Sequence, residues 1–250
     1  TAAYVSQKLT ELGIEHKKGV GGHGIIADIV GNKEGKIVAV RGDMDALPIT
    51  ELNQTSYVSK NHGVMHACGH DVHTTCILGA ARLLQERKSS LRGTVRLIFQ
   101  PAEERIPGGA SLMIKDQALK NPDVQLIFGQ HVYPDMEVGN VGFRPGMYMA
   151  SADELYITVK GKGGHAGLPH KTIDTVLLAS SVVTAIQQLV SRRAVASMPT
   201  VVSIGKFIAN GATNVIPDEV RLEGTIRTMN EKWRFELHDL LKDLVSGICK

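Results

Sequence analysis

Aromatic residues are scarce in this 250-residue chain, at 4%, and the 28 lysines and arginines are scattered among 25 acidic residues, leaving a net charge of only +3. With neither stacking platforms nor a segregated basic face, the surface argues against nucleic acid as a partner. Cysteine is sparse too. Cys68, Cys76 and Cys249 are odd in number and lack the spacing of a disulfide framework, which predicts free thiols and a reducing, cytoplasmic setting. No apolar run approaches the length of a bilayer span and no export signal opens the chain, so a soluble protein without membrane contact is expected. HExxH and GxSxG are missing, which removes the zincin and serine-hydrolase readings.

What is present is a chain with 43% hydrophobic residues, enough for two modest cores. Its first half alternates short β-branched runs with helix-like stretches and predicts an α/β architecture around a parallel-rich mixed sheet. Expected strands run over Gly24 to Val30, Lys36 to Arg41, Thr94 to Phe99 and Leu126 to Gln130. A helix is expected from near His73, where Ile77, Ala80, Ala81 and Leu84 recur at helical spacing, and another after Gly108-Gly109. Gly142, Pro145 and Gly146 then punctuate the chain, and the boundary is placed after residue 150, giving domains 1–150 and 151–250. The second domain reads as a small α+β unit of βαββα order. Its strands lie near Leu155 to Val159, Val201 to Ile208 and Val220 to Arg227, its helices near Thr172 to Val190 and Glu231 to Ile248.

The chemistry concentrates in Met65-His66-Ala67-Cys68-Gly69-His70-Asp71-Val72-His73, followed by Glu103-Glu104 and His131. Thiolate, imidazole and carboxylate together suit zinc and its first-row neighbours. The adjacent carboxylates suit hydrolysis, since one can ligate a metal while the other moves protons. A competing reading makes Cys68 a nucleophile activated by His66 or His70, but it leaves Glu103-Glu104 and Asp43-x-Asp45 without a role. Asp43 and Asp45, at alternate positions after a strand, are expected to face one site. Gly161 to Gly167 lacks dinucleotide spacing and a GK[ST] ending, and reads either as a turn presenting His165 or as an ordinary glycine-rich connection. Asn214 is by default a turn residue, and His16, His23, His62 and His238 read as solvated or loop histidines.

Arg41-Gly42-Asp43-Met44-Asp45-Ala46-Leu47-Pro48, His66-Ala67-Cys68-Gly69-His70-Asp71, Gln100-Pro101-Ala102-Glu103-Glu104 and Gly129-Gln130-His131-Val132 occur in an order that resembles the metal-dependent amidohydrolases and carboxypeptidases. That family includes hippurate hydrolase, N-acyl-amino-acid amidohydrolase and the auxin-conjugate hydrolases. The resemblance implies a catalytic domain holding one or two divalent metals, zinc or manganese, and an inserted lid domain used for homodimerisation. It implies Cys68, His70, Glu104 and His131 as ligands, Glu103 as general base and Asp45 as the group orienting a ligand. His165 is expected to reach an active site, in dimeric members that of the partner subunit, and to serve catalysis and substrate binding. Asn214 and Arg227 are expected to contact a small N-acyl amino acid or peptide-like substrate. Relative to the family's pattern the chain reads as shortened at both ends, without a fifth, C-terminal histidine ligand. The activity implied is hydrolysis of an N-acyl amino acid amide bond. The alternatives are a metallo-dipeptidase or aminopeptidase, or an impaired fragment acting as a binding or dimerisation module.

Overall fold

The computed structural model describes residues 1–250, which divide into two compact units, Thr1–Asn140 and Val141–Lys250. The division falls ten residues before the predicted boundary, inside a stretch, residues 130–152, that holds neither helix nor strand.

The first unit runs α1 (Ala2–Glu11), β1 (His16–Val20), β2 (Gly24–Val30), β3 (Lys33–Asp43), α2 (His70–Glu86), β4 (Arg92–Gln100), α3 (Gly109–Lys115) and β5 (Leu126–Gly129). Its five-stranded sheet has the order β1-β2-β4-β3-β5. The sheet is mixed, as expected, and flanked by helices: β1–β2 and β2–β4 pair antiparallel, β4–β3 and β3–β5 parallel. Antiparallel pairing follows from the tight β1–β2 hairpin, whereas the long excursion from β3 through α2 to β4 permits a parallel return. Alternation along central β4 explains why both faces are covered. Leu97 and Phe99 join the core under α1 and α2, built on Val5, Leu9, Ile77 and Ala81, while Ile98 joins Met113 and Ala118 on the other side.

Arg96, on the same side as Ile98, is 2% exposed. It donates to both carboxylate oxygens of Asp28 at 2.8 and 2.7 Å and to the carbonyls of Ala118 and Lys120, so the buried charge is fully engaged. Edge strand β5 is open, with Leu126, Ile127 and Phe128 roughly half exposed.

The second unit runs β6 (Asp153–Lys160), β7 (Gly164–His165), a 3-10 turn, α4 (Thr175–Gln188), β8 (Thr200–Ala209), β9 (Val215–Ile216), β10 (Glu219–Thr228) and α5 (Glu231–Ile248). An antiparallel sheet of order β6-β10-β8 carries both helices against one face, and β7–β9 forms a separate two-stranded ribbon. Asp174 caps α4 by accepting from the amides of Val176 and Leu177, and Asn230 caps α5 through Trp233. Inward residues Val220, Leu222 and Ile226 of β10 meet Ala179, Val182 and Ile186 of α4 and Trp233, Leu237 and Leu241 of α5. Two histidines expected to be merely solvated are partnered. His16 lies on β1 with its Nε2 2.7 Å from the Ser6 hydroxyl, and His238 lies on α5, 3.4 Å from Asp153. No helix is long and apolar enough to cross a membrane.

Candidate metal centre

Parallel register aligns the strand ends that carry the chemistry, with Asp43 on β3 opposite Gln100 on β4 and Arg41 opposite Gly129 on β5. The segments leaving those ends bring in Asp45, Glu103-Glu104 and His131 at one rim of the sheet, where sites in α/β proteins gather. His70 joins them as the first residue of α2, preceded by Gly69 in the left-handed region at φ 81°. A Cβ on Gly69 would collide with Val132 Cγ2, so both its backbone angle and its close approach require glycine.

Hydrogen bonding fixes which nitrogen of each imidazole is free. The His70 Nδ1 lies 2.9 Å from the Asp45 carbonyl oxygen, which can only accept, so Nδ1 carries the proton and Nε2 a lone pair. That Nε2 is buried without a hydrogen-bond partner. His131 Nδ1 likewise donates to the Val132 carbonyl at 2.8 Å, leaving its Nε2 lone pair 3.3 Å from the Cys68 sulfur. The ligand atoms of Cys68, His70 and His131 all lie within 4.8 Å of one another, and so do those of His70, Glu103 and Glu104. Two imidazole lone pairs, one thiol and the carboxylates, with the buried Nε2 otherwise orphaned, fit a divalent cation.

Electrostatics point the same way. Burial, then the neighbouring Glu104, and then the charges of Glu103 and Asp43 push the Cys68 thiol up to about 11. These surroundings disfavour the free thiolate that a nucleophile needs, and the imidazole beside the thiol is His131 rather than His66 or His70. A divalent cation bound here would reverse this logic, since Cys68 could then serve as a thiolate ligand beside the carboxylates.

Asp45 is bound from two sides. Its Oδ1 lies 3.3 Å from His70 Nδ1, and its Oδ2 accepts from the Glu104 amide at 3.0 Å, so one side chain orients an imidazole and fixes the segment carrying both glutamates. Asp43 also borders the site, with its Oδ2 3.7 Å from His70 Nε2, but it is held by different partners. It is 1% exposed, accepts from His73 Nδ1 at 2.6 Å and pairs with Arg41 at 2.7 Å. Burial pushes its carboxyl up, but the His73 hydrogen bond and the charges of Arg41 and the imidazoles outweigh burial and hold it below the usual range.

His73, which the sequence reading passed over, completes a brace: its Nε2 accepts from the Val132 amide at 2.9 Å. One buried imidazole thereby ties the end of β3 to the segment carrying His131. Its spacing of three from His70 was the available signal, since it puts both rings on one helix face.

His165, Asn214 and Arg227 belong to the second unit. His165 pairs with Val215 across the β7–β9 ribbon, and the Asn214 carbonyl accepts from the Ala166 amide at 2.9 Å, so these two are neighbours. Arg227 is not with them. It lies near the far end of β10, opposite Val201, eight residues and roughly 25 Å from Glu219 at about 3.3 Å per residue.

An α/β unit that gathers a thiol, two lone-pair imidazoles and paired carboxylates at its strand ends defines the class, a metal-binding α/β scaffold. The chain belongs to peptidase family M20/M25/M40, whose model matches residues 39–246. It is 44% identical to an N-acetylcysteine deacetylase of Bacillus subtilis and 42% identical to an N-acyl-L-amino acid amidohydrolase of Geobacillus stearothermophilus. Each match takes in 90% of this chain, and 59% and 60% of the relative respectively. The Bacillus subtilis YXEP protein, described as a dinuclear metal-binding peptidase, superposes with a TM-score of 0.79 at 38% identity, over 99% of this chain and 63% of that one. The chain thus spans about three-fifths of the length of these relatives.

Proposed function

We propose that the protein hydrolyses the amide bond of N-acyl amino acids with a divalent metal held by Cys68, His70, Glu104 and His131. The observation that carries this reading is the orphaned, buried Nε2 of His70, aimed at the space shared by the other three side chains and by Glu103. A divalent cation bound there would supply Lewis acidity for a carbonyl and lower the pKa of a water. Glu103, exposed and beside the ligand glutamate, takes the proton of the attacking water. The water oxygen bonds to the amide carbon, placing charge on the carbonyl oxygen, and the C–N bond then breaks as Glu103 returns the proton to the leaving amine. Asp45 keeps the His70 ring oriented throughout. His165 donates an N–H to the developing oxyanion, and Asn214 and Arg227 contact the substrate.

His165 stands on the β7–β9 ribbon and Arg227 near the end of β10 that pairs with Thr200 and Val201, so different parts of the second unit present them. A homodimer formed through the second unit, the lid, would let His165 serve the partner's centre. The soft Cys68 favours zinc and the carboxylates also accept manganese, with one or two ions per chain. Three unpaired cysteines support a cytoplasmic setting. The relatives' names, a deacetylase of N-acetylcysteine and an N-acyl-amino-acid amidohydrolase, support the substrate class.

The test is metal content per chain, measured with amino acid release from N-acetyl and N-benzoyl amino acids, N-benzoylglycine among them, before and after chelation. Bound metal with chelator-sensitive release is expected. Bound metal without release would leave a binding module, and a metal-free, inactive protein would remove the ligand set.

A further inference from the structure

The tautomer of His165 is opposite to that of the proposed ligand histidines. His70 and His131 each donate from Nδ1 to a carbonyl and present a bare Nε2. At His165 the Gly167 backbone amide donates into Nδ1 at 2.9 Å. An amide N–H can only donate, so Nδ1 holds the lone pair and the proton of the neutral ring must sit on Nε2. Protonating Nδ1 would break this bond and set two N–H groups against each other. The surrounding backbone is held at several points. Gly164 and His165 pair with Ile216 and Val215, Ala166 is bonded to Asn214, the Leu168 amide donates to the His165 carbonyl at 2.8 Å, and the Gly163 amide donates to Asp218 Oδ1 at 2.8 Å. Glycine at 167 also keeps the ring uncrowded, since a Cβ there would lie 3.0 Å from His165 Cε1.

We propose that the Gly167 amide is a positioning group that locks His165 as the neutral Nε2–H tautomer, so that the exposed ring offers a proton donor without being an imidazolium. The inference rests on the reading of His165 as oxyanion donor and narrows it. An imidazolium donor would be lost as the ring deprotonates, whereas a neutral Nε2–H donor persists and a metal-ligand role for His165 Nε2 is removed. Gly167 acts through His165 and touches no reacting atom.

The test is nitrogen-15 NMR of the His-labelled protein at pH 8. It compares wild type with Gly167→Pro, which removes the N–H, and Gly167→Ala, which keeps it. His165→Gln spectra assign the signal. A single tautomer with the proton on Nε2 is expected in wild type and in Gly167→Ala, and an averaged signal from two interconverting tautomers in Gly167→Pro. An averaged or Nδ1–H signal in wild type overturns the proposal, as does an unchanged signal in the proline variant. Equal averaging in both variants would assign the effect to crowding rather than to the N–H and overturn it too. Because the readout is spectroscopic, a failure of hydrolysis with the tautomer intact counts against the proposed activity and not against this hydrogen bond.

Discussion

Gly69→Ala tests how the ligand pair is held, because Gly69 sits between Cys68 and His70. Its φ of 81° lies in the left-handed region, where a Cβ costs about 1–2 kcal/mol. The added methyl also meets Val132 Cγ2, and overpacking of this kind adds about 1–3 kcal/mol. The sum, about 2–5 kcal/mol, falls on the first unit. It cannot be relieved by a small retreat of Val132, whose amide holds His73 Nε2 at 2.9 Å, nor by moving Gly69, whose carbonyl accepts from Val72 and His73 and starts α2. The measurement is a double-mutant cycle with Val132→Ala in urea. It is followed by far-UV circular dichroism, because the only tryptophan, Trp233, reports on the other unit. Val132→Ala removes the colliding methyl, so the double variant should regain the packing part and retain the backbone part. A coupling of about 1 kcal/mol or more is expected, against the few tenths typical of independent sites. Additivity would refute the collision, and a Gly69→Ala protein of wild-type stability would refute the whole account of why glycine stands there.

Glu103→Gln should abolish amide hydrolysis while metal content, by atomic absorption, stays near normal; a metal-loaded active variant removes Glu103 as base. Cys68→Ala should deplete metal, and normal content would break that assignment. Mixing inactive Glu103→Gln and His165→Ala chains should restore partial hydrolysis through hybrid dimers, whereas verified heterodimers without activity would place both residues in one chain's site. Arg96→Met should destabilise the first unit by about 3–5 kcal/mol, because it strands the partly buried Asp28 carboxylate and several carbonyls; an unchanged urea midpoint contradicts this. For Asp153, hydrogen bonds from Arg234 outweigh burial and hold the carboxyl below the ordinary range. A depressed folded pKa stabilises above the unfolded value near 3.9, and that contribution is lost as pH falls through the folded one. The stability gap between wild type and Asp153→Asn, read by Trp233 fluorescence, should therefore be about 1–2 kcal/mol at pH 6 and shrink below pH 4; a gap that widens with acid reverses the sign and the reasoning.

The elements most readable from sequence are those whose signal is local. Strand β2 carries its alternation within Gly24–Val30, and α5 its Asn230 cap and apolar period within Glu231–Ile248, so both emerge with the expected bounds. Strand β1 went unpredicted because only Val20 of His-Lys-Lys-Gly-Val is buried, and its identity as a strand comes from pairing with β2. The two-residue strands β7 and β9 exist only through each other. The direction of each pairing is likewise a property of connections rather than of any strand, so the balance of parallel and antiparallel pairs emerges only with the fold.

The centre divides along the same line. Cys68, His70, Glu103-Glu104 and His131 were legible as residue types in an ordered pattern, but their donor states were not. Histidine is one letter with two neutral forms, and the choice between them is made by backbone groups. At His70 the deciding atom is the Asp45 carbonyl, 25 residues away, and the bracing His73 takes its second bond from Val132, 59 residues away. Neither contact leaves a periodicity to detect, so a ligand, a brace and a donor look alike until the fold places a carbonyl or an amide beside each ring. Where the deciding group is local, as with Gly167 two residues after His165, the sequence contains it but gives no sign of the turn that brings it to Nδ1. The motif therefore sets which atoms are available to the centre, while the hydrogen bonds of loops closed by the sheet set which of those atoms bear lone pairs and which bear protons.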